Sequence, residues 1–153
     1  MHQYEAKIKW SRNAAKFTDN RYSRAHEWSF DGGVKVPASA SPAAVQLPFS
    51  VEEAVDPEEA LVAAASSCHM LAFLFLAAKK GFVVDTYEDS AFGVLGKNQA
   101  GKLAISSITL RPRIEFSTDK GPSRAELDAL HNEAHHDCYI ANSIKSEVVV
   151  EAC

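Results

Sequence analysis

The feature that most constrains the fold is an apolar run at residues 60–78, ALVAAASSCHMLAFLFLAA, which contains no charged side chain. The middle of this run holds four polar residues, Ser66, Ser67, Cys68 and His69. Burying polar groups without hydrogen-bond partners costs free energy. We therefore expect these side chains either to find partners in a core or to carry out chemistry there.

Signals at both ends of the run predict one long helix over about residues 57–80. Asp56 is a favourable N-cap, Pro57 suits the first helical position, and Gly81 supplies a stop. At 1.5 Å per residue the helix spans roughly 35 Å. It is apolar on almost every face, so we expect burial on most sides. Because a domain of 153 residues can hardly cover an apolar helix of this length alone, we expect a second subunit to cover one face of the helix.

Length, charge and cysteine count bound the class of protein. The 153 residues predict a single domain over 1–153. The formal net charge of -4 argues against a nucleic-acid binder, which usually carries a basic face. The first ten residues lack the apolar core of a signal peptide. The four polar residues 66–69 argue against a membrane span at 60–78. We therefore expect a cytoplasmic protein whose cysteines are free thiols.

The rest of the chain shows strand and helix patterns. Period-two alternation predicts strands over 4–10, 26–30, 83–96, 102–117 and 147–152. The first of these is expected to be half-buried with Ile8 and Trp10 on one side, and the proline-rich stretch 36–50 predicts a loop or an irregular edge. Ser123 opens a helix through a capping box, and Asp137 is expected to N-cap a shorter one. This order predicts an α+β fold with a largely antiparallel sheet packed on the central helix.

The cysteines are the first candidates for chemistry. A free Cys is most often a small buried hydrophobe, which is the structural interpretation of Cys68. Cys138 lies near the start of a predicted helix, where aligned N–H groups favour a thiolate. The two would suit a reversible disulfide if the fold brings them together. Cys153 is expected to be a frayed terminal thiol, and Ser66 and Ser67 to bond back to helix carbonyls as small spacers.

The histidines raise a zinc-binding alternative. His131 and His135 are four positions apart on one helical face, a geometry that can hold zinc, and His136 and Cys138 follow closely. His69, next to Cys68, would add a further ligand. No recognised zinc spacing is present, so we expect no metal site and a solvated helix face for these histidines.

A resemblance to a known family rests on two stretches. DPEEALVAAASSCHMLAFLFLAAKKGF, residues 56–82, resembles the central cysteine helix of the OsmC/Ohr family of peroxide-handling proteins. A second Cys lies in a C-terminal helix of that family, as Cys138 does in HHDCYIANS. The resemblance covers nearly the whole chain. Ohr-type members usually carry Pro after the second Cys, whereas this chain has Tyr139, so the similarity is to the broader OsmC-like group.

The resemblance implies an intertwined homodimer that acts as a thiol peroxidase in the oxidative stress response. Cys68 would be the peroxidatic thiolate and Cys138 the resolving thiol, without any cofactor. An external dithiol, for which a lipoyl-type dithiol is one candidate, would reduce the resulting disulfide. The apolar side chains Met70, Leu71 and Phe75 would bind the organic tail of a hydroperoxide.

The resemblance also implies an arginine that holds the Cys68 thiolate. This residue would come from the N-terminal loop and pair with the helix-start glutamate, here Glu58. Arg24 is our choice because it directly precedes a strand, and Arg12 and Arg21 remain alternatives. The physical need is clear, since a guanidinium stabilises a thiolate that burial would otherwise disfavour.

Overall fold

The computed structural model describes residues 1–117 and 121–153. The elements in chain order are β1 (Ala6–Lys9), β2 (His26–Phe30), β3 (Lys35–Ala38), α1 (Pro57–Lys79), β4 (Val84–Asp89), β5 (Phe92–Lys97), β6 (Leu103–Leu110), β7 (Pro112–Phe116), α2 (Arg124–Asp137), α3 (Tyr139–Ser143) and β8 (Glu147–Val150). They form two compact units, Met1–Ala60 and Leu61–Cys153. The mixed α+β class with antiparallel pairing is as predicted, and a single domain stays a prediction.

The first unit contains an antiparallel sheet in the order β1-β2-β3. Trp28 in the central strand lies opposite Ile8 on one side and Val36 on the other. The stretch 36–50, predicted as a loop or an irregular edge, begins in the edge strand β3, which includes Pro37. Proline is tolerated there since β3 is an edge strand. All four residues of β1 are exposed in the chain by itself, so the half-buried face predicted for this strand is not covered.

Helix α1 has the ends that its sequence predicted. Asp56 accepts a hydrogen bond from the backbone N–H of Glu59 at 2.8 Å, and the Glu59 carboxylate accepts from the Asp56 N–H at 3.2 Å. This reciprocal capping box satisfies two N–H groups. Gly81 ends the helix at a φ of +83°, and the N–H of Phe82 reaches back to the carbonyl of Ala77. Such a left-handed stop favours glycine because a Cβ is strained there.

The second unit contains two separate sheets, one of β4 and β7 and one in the order β5-β6-β8. The β6–β8 pair is parallel, and the other pairs are antiparallel. The predicted long strands over 83–96 and 102–117 are each broken into two. At the breaks, the Asp89 carboxylate accepts a hydrogen bond from the Arg111 N–H at 2.6 Å. A side chain thus takes the place of a ladder bond, which a period-two pattern does not reveal.

One face of α1 lies in the core of the second unit. Phe73, Leu76 and Ala77 pack against Leu130 and Ala134 of α2. A second cluster comprises Ala65, Ile108 and Leu110. Together these clusters place α2 and the β5-β6-β8 sheet against the part of α1 that follows residue 60.

The other face of α1 remains uncovered in the chain by itself. Leu71 is 60% exposed and Phe75 is 68% exposed, so burial on most sides is not achieved by a single copy. In the described part of the chain, α1 is the one helix whose length and apolar composition would permit a membrane span. Core helices of soluble proteins pass the same test, and this helix contributes Phe73 and Leu76 to a core.

Candidate functional site

Cys68 lies on the wall of an open cleft of about 620 Å³. The cleft is lined by Ala64, Ser67, Cys68, Leu71, Ala72, Phe75, Leu76, Asp137, Tyr139 and Ile140. Apart from Ser67, Cys68, Asp137 and the Tyr139 hydroxyl, these side chains are hydrocarbon. An apolar cleft with a few polar groups is the usual form of a small-molecule site.

The second thiol, Cys138, is buried directly beside the first. It is 1% exposed, and the Cys68 thiol is close enough to act on its protonation. Burial first, and then the neighbouring Cys68 thiol, raise the pKa of Cys138 above its usual value. Cys138 therefore holds its proton more tightly than an exposed thiol would, whereas Cys68 is half-buried and opens on the cleft.

Cys138 is itself the N-cap of α3, and this role fixes its position. We expected Asp137 to be the N-cap of this helix, but Asp137 is the last residue of α2 and Cys138 is the N-cap. The Cys138 Sγ accepts a hydrogen bond from the N–H of Ala141 at 3.4 Å. The prediction failed because α2 continues to Asp137 with only one residue between the helices. That single residue turns its thiol toward α1.

The serines before Cys68 have different surroundings. Ser66 donates a hydrogen bond to the carboxylate of Asp89, so its predicted bond back to a helix carbonyl was wrong. A carboxylate offers a stronger acceptor than a carbonyl that is already engaged in the helix. Ser67 faces the cleft. The Ser66–Asp89 contact fixes one side of α1 next to the reactive residue.

The predicted substrate-binding residues are only partly at the cleft. Leu71 and Phe75 line it, whereas Met70 does not. Tyr139 and Ile140, which our sequence analysis missed, lie on the opposite wall. Their position directly after Cys138 was the available signal, because residues that flank Cys138 lie near any thiol that it approaches.

Arg24 is held within the loop of the first unit. Its guanidinium donates to the backbone carbonyl of Asn20 at 2.9 Å and to the Asn20 side chain at 2.7 Å. It also lies 3.8 Å from the ring centroid of Tyr22, a cation–π distance. Arg24 lines an apolar cleft of about 450 Å³ together with Trp10 and Phe17. These contacts hold its guanidinium in one orientation.

The alternative arginines have weaker local contacts. Arg12 donates to the carbonyl of Ala15 at 3.1 Å, and Arg21 lies 5.7 Å from the ring centroid of Phe49. Glu58 is exposed in the first turn of α1. Within residues 1–117 and 121–153, no ion pair joins Glu58 to any of these arginines, so the arginine–glutamate pair stays a prediction.

The predicted solvated face is found at His136, which is exposed, but not at His131. His131 is 4% exposed and lies 3.0 Å from His69, measured between His131 Nδ1 and His69 Nε2. Since the two residues are 62 positions apart, helical spacing alone could not reveal this contact. Among the described residues, no group of three or more His, Cys, Asp or Glu side chains is arranged to hold a metal ion.

The chain is an α+β protein in which two cysteines are neighbours at an apolar cleft. A sequence profile described as OsmC-like protein matches residues 50–152. That match covers more than half of the chain, so the chain belongs to the OsmC-like family. The family resemblance stated from the sequence is thereby confirmed. No curated protein sequence matches the chain.

Solved structures share this fold over the whole chain. An OsmC-like protein of unknown function from Vibrio cholerae O1 biovar eltor strain N16961 is 51% identical, with a TM-score of 0.98 and 100% of both chains covered. An organic hydroperoxide resistance protein from Elizabethkingia anophelis is 15% identical, with a TM-score of 0.72 and coverage of 99% of this chain and 94% of that one. OhrB of Bacillus subtilis, also an organic hydroperoxide resistance protein, is 20% identical, with a TM-score of 0.69 and coverage of 99% and 98%.

Proposed function

We propose that this protein is a thiol peroxidase that reduces organic hydroperoxides. The observation that carries the proposal is that the buried Cys138 thiol neighbours the Cys68 thiol beside an apolar cleft. A buried structural cysteine has no need of a second thiol as its partner. Two thiols in contact can instead be oxidised together to a disulfide without a large movement of the chain.

The proposed reaction uses the two thiols one after the other. The Cys68 thiolate attacks the terminal oxygen of a hydroperoxide, the O–O bond breaks, and the alkoxide takes a proton and leaves as an alcohol. Cys68 is now a sulfenic acid. Cys138 attacks the Cys68 sulfur, the S–O bond breaks, and the hydroxyl leaves as water with the Cys138 proton. The peroxide has gained two electrons, and the two thiols have lost them as a disulfide.

The cleft favours a hydroperoxide with an organic tail. Leu71, Phe75 and Ile140 present hydrocarbon beside Cys68, and burial of apolar surface contributes about 25 cal/mol per Å². Hydrogen peroxide has no apolar surface to bury. The binding contribution of this wall is therefore available to an alkyl or aryl hydroperoxide only.

The cycle needs a cation and a reductant. Arg24, oriented by its own loop, would stabilise the Cys68 thiolate, with Glu58 as its carboxylate partner in a homodimer. A dithiol, such as a lipoyl-type dithiol, would reduce the Cys68–Cys138 disulfide by exchange. Its first thiol would attack one sulfur, form a mixed disulfide and release the other protein cysteine as a thiol. Its second thiol would then displace the remaining protein thiol, and the reductant would leave as a cyclic disulfide. A reducing cytoplasm suits both thiols.

Consumption of an organic hydroperoxide in the presence of a dithiol tests the function. We expect wild-type protein to consume cumene hydroperoxide faster than hydrogen peroxide at equal concentration. Cys68→Ser should abolish consumption, whereas Cys153→Ser, which changes an exposed thiol near the chain end, should leave it unchanged. Full turnover by Cys68→Ser, or none by the wild type with any dithiol, would contradict the proposal.

A further inference from the structure

A buried pair of histidines joins the two helices that carry the thiols. His69 directly follows Cys68 on α1, and His131 lies on α2, the helix that ends one residue before Cys138. The rings are stacked at an interplanar angle of 6° with centroids 5.3 Å apart. His69 is 1% exposed, so this contact lies in the core.

Each ring has the other as its hydrogen-bond partner. Among the described residues, no group bonds to the remaining nitrogens, His69 Nδ1 and His131 Nε2, although both are buried. The pair therefore makes one N–H···N hydrogen bond, in which one imidazole donates and the other accepts. A buried polar group that loses its only partner is destabilised by more than the net strength of the bond. This makes the His69–His131 contact directional and difficult to replace.

The apolar packing around the two histidines does not fix the orientation of α2 against α1 in the way that this hydrogen bond does. Leu130 and Ala134 hold α2 against α1 through apolar contacts with Phe73 and Leu76. Apolar burial is approximately proportional to area and has little dependence on angle, so it permits small sliding or rotation of α2. The hydrogen bond, by contrast, weakens as its angle and length depart from the optimum. The His69–His131 hydrogen bond therefore fixes the register of α1 against α2 at His69, the residue that follows Cys68.

We propose that His69 and His131 are positioning residues that hold Cys138 in register with Cys68, and so set how readily the two thiols form their disulfide. The inference deepens the proposed function and rests on it. Neither histidine touches the hydroperoxide, because both lie outside the residues that line the cleft. Their effect is on the step that joins the two sulfurs, and not on the first attack by Cys68.

The test is the equilibrium between the two thiols and glutathione. One disulfide forms as one glutathione disulfide is reduced to two glutathione thiols, so the equilibrium constant is the effective concentration of one thiol beside the other. We expect His131→Leu to lower this constant by about tenfold, the size of one net hydrogen bond. His131→Asn, which places an amide oxygen near the position of Nδ1, should restore most of it.

A packing control separates positioning from stability. Phe73→Leu removes the aromatic ring stacked 4.6 Å from His131 without changing either nitrogen. It should leave the glutathione equilibrium within about twofold of wild type when measured below the unfolding transition, because non-directional contacts do not set the register. An equal fall in Phe73→Leu and His131→Leu would overturn the inference.

A second pair of variants covers the case in which His131→Leu does not fold. His69→Gln reaches the position of Nε2 and His69→Asn does not, so Gln should keep the equilibrium near wild type and Asn should lower it. Equal constants in this pair, or no disulfide in wild-type protein at any glutathione ratio, would overturn the inference. If the variants behave as expected but wild-type protein consumes no hydroperoxide, the positioning role stands and the proposed function fails.

Discussion

Cys68 and Cys138 face each other but are held differently. Cys68 is half-buried at the cleft, and Cys138 is enclosed and accepts an N–H at the start of α3. In the proposed cycle, the raised pKa of Cys138, caused first by burial, would keep it as a thiol until Cys68 has been oxidised. The proposed division of roles rests on position, since the two side chains are chemically the same.

Arg24→Ala tests the thiolate-stabilising residue. We expect the alkylation of Cys68 by iodoacetamide near neutral pH to slow by about tenfold, equivalent to ~1.4 kcal/mol of lost thiolate stabilisation. The reason is that a nearby guanidinium favours the charged form of a thiol. The rate is read from the mass of the Cys68 peptide over time.

Arg12→Ala and Arg21→Ala are matched controls, because both arginines lie on the same loop region and have fewer contacts than Arg24. They should alkylate at the wild-type rate. If Arg24→Ala keeps the wild-type rate and one of the others does not, the wrong arginine was chosen.

The element that organises the site is α1, and its ends were predictable from sequence. Asp56, Pro57 and Gly81 act locally, so their roles follow from their neighbours in the chain. The break at Arg111 was not predictable, because it depends on Asp89 of another strand. The candidate site was likewise predictable only in part. Helix signals and family resemblance pointed to Cys68, but the Cys68–Cys138 contact joins residues far apart in the chain, so their spacing in the sequence could not show it.

The α1–α2 contact should make stability depend on pH. Burial lowers the pKa of both His69 and His131 from 6.5 to about 4. His135 further lowers that of His69, while Asp128 and Asp89 oppose the shift at His131 and Arg124 adds to it. Between pH values of about 4 and 6.5 the unfolded chain binds more protons than the folded chain, so the free energy of unfolding rises with pH.

We therefore expect the melting temperature to fall as pH is lowered from 6.5 toward 4.5, measured by circular dichroism. Glu27 and Glu126, whose pKa values are lowered from 4.5 by hydrogen bonds to Lys35 and Ser123, add to the fall near the lower limit, so a histidine variant is needed to identify the part that the pair contributes. His131→Phe should flatten the slope, since one of the two buried imidazoles is gone. An unchanged slope in that variant would show that the pair is not its source.

At the scale of the whole molecule, the uncovered apolar surfaces favour a second copy of the chain. Leu71 and Phe75 leave one side of α1 exposed, and β1 exposes Ile8. Glu58 and Cys68 are ten positions apart on a continuous helix, a rise of about 15 Å. One arginine side chain can hardly bond both within one copy. Antiparallel packing of two α1 helices would bring the start of one near the middle of the other.

A mixing experiment tests the shared site. Cys68→Ser and Glu58→Ala subunits should each be inactive as homodimers. After random exchange, every mixed dimer would contain one intact centre, giving about a quarter of wild-type peroxidase activity. The measurement is hydroperoxide consumption after exchange, with exchange itself verified by native mass spectrometry. If mixed dimers form and the activity stays at zero, the centre is not shared between subunits.

The most direct test of the central claim is peptide mapping by mass spectrometry after one equivalent of cumene hydroperoxide. The account predicts a Cys68–Cys138 disulfide in wild-type protein, with Cys153 still free. In Cys138→Ser the first oxidation should still occur, but Cys68 should be found as sulfenic, sulfinic or sulfonic acid because no second thiol resolves it. Wild-type protein in which Cys68 stays reduced, or is over-oxidised while Cys138 remains a free thiol, would contradict the account.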